Sequence, residues 1–394
     1  MSSPSGTRPS RGLLLTTEQE DLRDSVRRFV ADRSPMTAVR AVVAAGSGFD
    51  RGLWQAMSRG LGFAGLRVPA RYGGSGASWT DVSVVLSELG RGLVPSPLLS
   101  ALLSAEVLLR LDDEDARREL LPGVASGDRI AALAVSEETA GEAGWFPAEP
   151  ATRATSTDAR TARITGRKTT VIDARHADLL LVQARAEDGN ALYVVDGDAG
   201  GLQRTALTTL DLTRSVATVD LVDVPARRLA GDADGVLDQV TAVANLALAS
   251  EQCGAMAACL DMTTQYAAQR YAFGRPIGSF QAVKHRLAEM LLAWELAYSA
   301  LRDATRCADE EPDLTPQAAA IARVLVSPAY FRAAADTVQL HGGIGYTWDH
   351  DAHLYYRNAT SQKNLLGRPQ HHLDLLAVLH SGAAVMNPTR QEHA

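Results

Sequence analysis

The residues best equipped for chemistry stand in one short turn, RYAFGRPIGSFQ, from Arg270 to Gln281. Arg270 and Arg275 can each hold a phosphate through two parallel N–H donors, and Phe273 offers an apolar face to a flat ring. Gly274 and Gly278 permit unusual backbone angles, while Pro276 stops a helix. Taken alone, the segment supports a tight helix–helix connection as well as an anion clamp. A second cluster, HGGIGYTWDHDAH and QHHLD, gathers His341, His350, His353, His371 and His372. His350 and His353, three residues apart, could share a helix face as metal ligands, but turn and surface histidines account for the pattern more simply. Gly73, Gly74 and Gly76 follow no strand and open no βαβ unit, so they read as a turn rather than a dinucleotide fingerprint.

The elements that must position these residues fall into three blocks. From Thr16 to about Gly127 the apolar spacing is helical, beginning with Thr17 as a predicted N-cap and Glu20 three residues on, a capping box. Further helices are predicted around 52–60, 79–91, 97–110 and 114–126. Near Arg129 the period drops to two. IAALAVS, TARIT, ADLLLVQAR, NALYVVD and VATVDLVDV are short, rich in Val, Leu and Thr, and separated by turn residues. Strands with no helices between them predict an antiparallel sheet or small barrel. From about Gly235 the helical period returns over 236–270, 280–308, 315–340 and roughly 349–364, an apolar bundle of four helices. The expected fold is therefore α+β, with a disordered segment 1–15, a helical domain 16–127, a β domain 128–234 and a helical bundle 235–394.

The totals narrow the function. The 394 residues are 46% hydrophobic and 22% charged, as in ordinary globular proteins. A formal net charge of -7 and the lack of Lys/Arg runs argue against nucleic acid or an anionic membrane surface as partner. Cys253, Cys259 and Cys307 have no metal spacing and read as buried free thiols. With no signal-peptide core and no 18-residue apolar run, a cytoplasmic location is expected.

The α–β–α order and several separate motifs resemble the acyl-CoA dehydrogenase family of flavoenzymes. The motifs are LTTEQEDLRDSVRRF, LGFAGLRVPARYGGSG, LLPGVASGDRIAALAVSEE, ITGRKTTVIDARHADLLLV, the turn itself and QLHGGIGYTWDHDAHLYYRNA. The resemblance implies a tetramer that binds FAD between the β domain and the bundle. It also implies that the diphosphate-adenosine end of each FAD crosses into a neighbouring subunit. Arg270 would meet that diphosphate, Phe273 and Gln281 would line the groove, and Gln339, Gly342 and Gly343 would complete it. The substrate would be an acyl-CoA thioester, and the electron acceptor an electron-transfer flavoprotein.

Measured against that family, the catalytic groups of the chain's own cleft are missing. The usual base, a Glu 25 residues after the first residue of the HGG-like turn, is here Leu366; the alternative, 29 residues ahead of Phe273, is Ala244. Neither can accept a proton. The neighbouring Arg that contacts CoA is Asn245, the Ser of the flavin loop is Glu142, and the ring-shielding Trp-Ile-Thr is Thr170, Val171 and Ile172. Groups offered to a neighbour survive while groups for the chain's own thioester do not. The resemblance thus implies a base-lacking subunit of a heterotetramer, of the kind used in actinobacterial sterol degradation, whose FAD is shared with a Glu-bearing partner. Two rivals stand beside it. One is a self-sufficient homotetramer with a displaced base, Glu251 or Asp238. The other is a binding protein without redox chemistry.

Overall fold

Thr16, not Thr17, caps the first helix. Its side chain accepts from the Gln19 N–H while the Gln19 side chain returns to the Thr16 N–H, so the capping box sits one residue earlier than expected. The computed structural model describes residues 13–138 and 145–381. Most of the segment expected to be disordered, residues 1–12, and Glu142 of the flavin-loop reading lie outside the described residues.

The N-terminal block holds α1 (Thr17–Arg33), α2 (Met36–Ala45), α3 (Arg51–Gln55), α4 (Trp79–Arg91), α5 (Leu98–Arg110) and α6 (Glu114–Ala125). The strands are β1 (Ala131–Ala134), β2 (Arg153–Ser156), β3 (Thr161–Ile172), β4 (Leu179–Ala186), β5 (Gly189–Asp196), β6 (Leu202–Ala206) and β7 (Val216–Arg228). The bundle consists of α7 (Ala233–Gln269), α8 (Gln281–Glu310), α9 (Thr315–His341), α10 (Ala352–Gln362) and α11 (Pro369–His380), with a small hairpin of β8 (Tyr271–Ala272) and β9 (Arg275–Pro276) between α7 and α8.

The β domain is nearly but not wholly antiparallel. Strands β4, β2, β3, β7 and β5 follow one another through hydrogen bonds, and β5 pairs back onto β4, closing a small barrel. The two exceptions are β1, parallel to β4, and β2, which meets β4 in parallel at Arg153 and Arg185. Closure leaves few free edges, and alternate residues such as Val182, Ala184, Tyr193 and Val195 fill the interior.

Helix α5 is buried along almost its whole length, from Leu98 to Leu108, and so is the middle of α7. Helix α7 is long and apolar enough to cross a bilayer, yet 83% of its apolar window is buried inside the protein, which makes it the core helix. It runs about 55 Å at 1.5 Å per residue and touches α4, α8 and α9. Small residues let α4 approach it. A Cβ at Gly90 would stand 2.1 Å from the Glu251 carbonyl oxygen, and one at Gly254 would stand 1.7 Å from that of Ser87. The three cysteines are buried and free.

Candidate functional site

Helix α7 ends because Arg270 turns extended, with its N–H bonded to the Tyr266 carbonyl at 2.8 Å. The chain then makes a two-residue hairpin in which Tyr271 opposes Pro276 and Ala272 opposes Arg275. Both tip residues have positive φ, 53° at Phe273 and 77° at Gly274, the backbone that a tight hairpin with right-handed twist requires. Gly274 tolerates this freely, but an aromatic residue there is strained. Phe273 is also 96% exposed, so burial does not offset the strain. Its ring stands edge-on to Phe280 at 6.2 Å, and the Arg275 guanidinium lies 4.1 Å over the Phe280 ring. The Arg270 side chain is exposed and makes no ion pair among the described residues.

The end of α9 arrives beside this hairpin. Tyr266, one turn before Arg270, stacks on His341 at 4.3 Å and donates to its carbonyl at 3.3 Å. Arg286 of α8 pairs with Asp336 of α9 at 2.9 Å. These contacts bring Arg270, Phe273, Gln281, Gln339, Gly342 and Gly343 to one end of the bundle, all exposed. Gly342 has φ 63°, and a Cβ at Gly343 would meet nothing within 4 Å, so both backbones are open to a ligand. An exposed cation, an aromatic ring and a Gly342–Gly343 backbone with no Cβ to hold a ligand off fit the diphosphate-adenosine end of a dinucleotide, although the Gly342 N–H itself donates to the Gln339 carbonyl.

The histidines do not converge on a metal. His341 donates from Nδ1 to the Thr337 carbonyl at 2.7 Å, and His350 packs on its ring at 4.4 Å, while His353 turns to Trp348. Burial lowers the pKa of all three and favours the neutral ring. Among the described residues no three His, Cys, Asp or Glu side chains form a metal-binding group.

The chain's own cleft has a different character. Leu366 is 3% exposed with φ 63°, and Ala244 is fully buried. Arg323, itself buried, fixes the loop before Leu366 by donating to the Leu365 carbonyl at 2.9 Å and to Gln252 Oε1 at 3.0 Å. Burial pushes the Arg323 pKa down to about 10. Asn245 is buried as well. Of the ring-shielding positions only Thr170 is exposed; Val171 and Ile172 belong to the cores. An isoalloxazine finds neither a ring partner nor a base among these residues.

Glu251 is not a free carboxylate poised as base. It pairs with Arg214 of the loop before β7 and accepts from Gln362 at 3.4 Å. Arg214 also stands 4.0 Å from Asp211, which accepts from Thr213 and Asn358. Burial opposes the Arg214 charge, but Glu251, Asp211 and Asp173 outweigh it and raise its pKa. Asp173, fully enclosed, accepts from Ser100 at 2.8 Å, and burial lifts its pKa to about 7. Asp238 is exposed on the opposite reach of α7. A cleft of about 400 Å³ lies elsewhere, against α2 and beside Asp50 and Pro95, and none of these groups lines it.

The N-terminal domain model of acyl-CoA dehydrogenases matches residues 16–128, and the C-terminal domain model matches 236–378. The chain belongs to the acyl-CoA dehydrogenase family. It is 34% identical over 370 residues to acyl-CoA dehydrogenase IpdE2 of Mycobacterium tuberculosis, covering 90% of this chain and 94% of that one. Among solved structures it resembles a variant of the Tcur3481-Tcur3483 steroid ACAD, at 31% identity and a TM-score of 0.83 over 93% of this chain and 98% of that one. It also resembles a chain of the ChsE4-ChsE5 complex from Mycobacterium tuberculosis, at 28% identity and a TM-score of 0.85 over 95% of this chain and 100% of that one. Acyl-CoA dehydrogenases are FAD-dependent.

Proposed function

We propose that this chain is the base-lacking subunit of a heterotetrameric acyl-CoA dehydrogenase, and that its α7–α8 hairpin and α9 end complete the FAD site of a Glu-bearing partner. One observation carries the reading. Both places for the base are buried hydrocarbon, Leu366 and Ala244, while the groups that face outward to a neighbour remain exposed. FAD, when bound, accepts the hydride from the thioester β-carbon. This chain's part is to hold the far end of that cofactor. Arg270 would neutralise the diphosphate, Phe273 would cover the adenosine side, and the Gly342–Gly343 backbone, bare of side chains, would let the cofactor approach closely. The partner would supply the carboxylate that takes the α-proton.

The likeness to a steroid ACAD and to the ChsE4-ChsE5 complex supports a bulky polycyclic or branched acyl-CoA as the substrate of the assembly. An electron-transfer flavoprotein would reoxidise the flavin. Cytoplasmic placement and the three-domain division at 127 and 234 belong to the same proposal.

Expression alone and beside a family member that carries the Glu tests the reading. The expected result is colourless, inactive protein alone and a yellow, active complex with the partner. Stoichiometric flavin with steady turnover from the lone chain would return the homotetramer with a displaced base. A chain that never turns yellow in either setting would favour a binder without redox chemistry.

A further inference from the structure

We infer that Arg214 and Glu251 form a charged plug that keeps acyl chains out of this subunit's own cleft and ties its three domains together. The inference rests on the acyl-CoA dehydrogenase reading, which places the reacting carbons beside Ala244. Glu251 lies seven residues further along α7, on the same face and about 10 Å away, where the body of an acyl chain would run.

Three observations close that path. First, the junction is filled: Leu89 and Leu93 from the α4 end, Arg214 from the barrel and Gln362 from α10 surround Glu251, leaving about 30 Å³. That admits a water molecule, not a hydrocarbon chain. Second, α4 and α7 are in backbone contact on the same stretch. The close approaches at Gly90 and Gly254 adjoin a bond of 2.8 Å between Ser250 Oγ and Ser83 Oγ, so no channel separates the helices there. Third, the plug cannot be pushed aside cheaply. An entering chain would part a mostly enclosed ion pair, its side chains 14% and 13% exposed, and separate a guanidinium from its carboxylate.

The groups facing Arg214 explain why it stays charged. Glu251 of α7, Asp211 of its own loop and Asp173 of the turn after β3 all act on it, and Ser100 of α5 holds Asp173. The N-terminal helices, the barrel and the bundle therefore meet at one cation. Removing Arg214 leaves Glu251 with Gln362 alone and removing Glu251 leaves Arg214 with the more distant Asp211, whereas replacing both with hydrocarbon of similar volume strands neither.

The test uses the full-length chain and cis-parinaric acid, a fluorescent fatty acid, as the probe. Wild type is expected to show no saturable fluorescence. R214A/E251A, which empties the junction, is expected to bind the probe saturably, with a fluorescence gain of at least about tenfold over wild type. R214M/E251L, which refills it, is expected to behave as wild type. Melting gives an independent readout: R214Q and E251Q should each lower the Tm by roughly 5 °C, and R214M/E251L should recover most of it. Saturable binding by wild type, equal binding by folded wild type and R214A/E251A, or purely additive melting losses would overturn the plug. Flavin content is independent of these measurements. Saturable probe binding by a flavin-free wild-type chain sinks the plug and leaves the partner reading standing. Stoichiometric flavin in the lone chain, without probe binding or turnover, does the reverse.

Discussion

At residue scale, Leu366 keeps the backbone of a functional position without its chemistry. A branched side chain at φ 63°, 3% exposed, is strained in the left-handed region and is held there by the loop that Arg323 fixes. Leu366→Glu therefore restores the residue type without restoring the reaction, because the Arg214–Glu251 pair still blocks the acyl path. The expected outcome is no dehydrogenation of acyl-CoA by the variant chain and a stability loss of about 2–4 kcal/mol in urea unfolding, from an unpaired buried carboxylate. Appearance of acyl-CoA-dependent flavin bleaching would contradict this. Asp173 makes a second prediction. Its pKa is raised from 3.8 to about 7 in the folded chain, so the native state binds more protons than the unfolded state across that window. The stability it supports is present below pH 4 and is lost as pH rises towards 7. Asp173→Asn, which cannot ionise and tolerates the left-handed φ of 57°, should remove that slope. The variant should unfold about 1–3 kcal/mol harder than wild type at pH 8; parallel stability–pH curves would refute the assignment. None of this was legible in the sequence. Leu366 could be placed by counting from His341, but Asp173 depends on Ser100 and Arg214, which only the tertiary fold brings together.

At element scale, the hairpin and the helix caps show what local pattern can and cannot deliver. The Gly, Pro and Arg content of RYAFGRPIGSFQ marked a turn, and the turn is there. Its two-residue form, with an aromatic residue at positive φ, was not foreseeable, because residue statistics oppose Phe273 at that place. Phe273→Gly should relieve the strain, leaving the melting temperature of the free chain unchanged or slightly higher. The same variant should weaken flavin retention in the co-expressed complex. A fall in stability of the free chain would show that the ring matters to the fold instead. Caps were legible to within one residue at Thr16, since a Thr-Thr pair offers two candidates. The cap on α4 was half hidden. Ser78 and Asp81 form a local box, but Asp309, from the end of α8, also accepts from the N–H groups of Trp79 and Thr80 at 2.6 and 3.1 Å. Nothing in the sequence links Asp309 to a helix start 230 residues away. Asp309→Ala should cost about 1 kcal/mol in chemical denaturation, and a neutral result would remove the cap. Strands β2 and β6 escaped notice because they are short and mostly outward-facing, without an apolar alternation. Helix α11 was hidden by its histidines.

At the scale of the whole molecule, the α–β–α order was readable because each block has its own apolar period and the motifs fall in family order. The closure of the barrel and the parallel placement of β1 were not, since pairing partners are set by the assembled core rather than by any one strand. The molecule divides its polar groups by destination. Those at the junction of the three domains satisfy one another: Arg214 with Glu251, Asp211 with Asn358, Arg323 with the loop before Leu366. At the far end of the bundle Arg270 makes no ion pair among the described residues, and its exposure beside Phe273 is the reason to look for a second subunit. The most direct measurement is the flavin content of the purified complex when Arg270→Ala is introduced on this chain alone. The account predicts that the complex assembles, that this chain's own cleft is unaffected, and that FAD affinity falls roughly tenfold or more with the lost charge-assisted phosphate contact. Undiminished flavin in a complex carrying Arg270→Ala would contradict it.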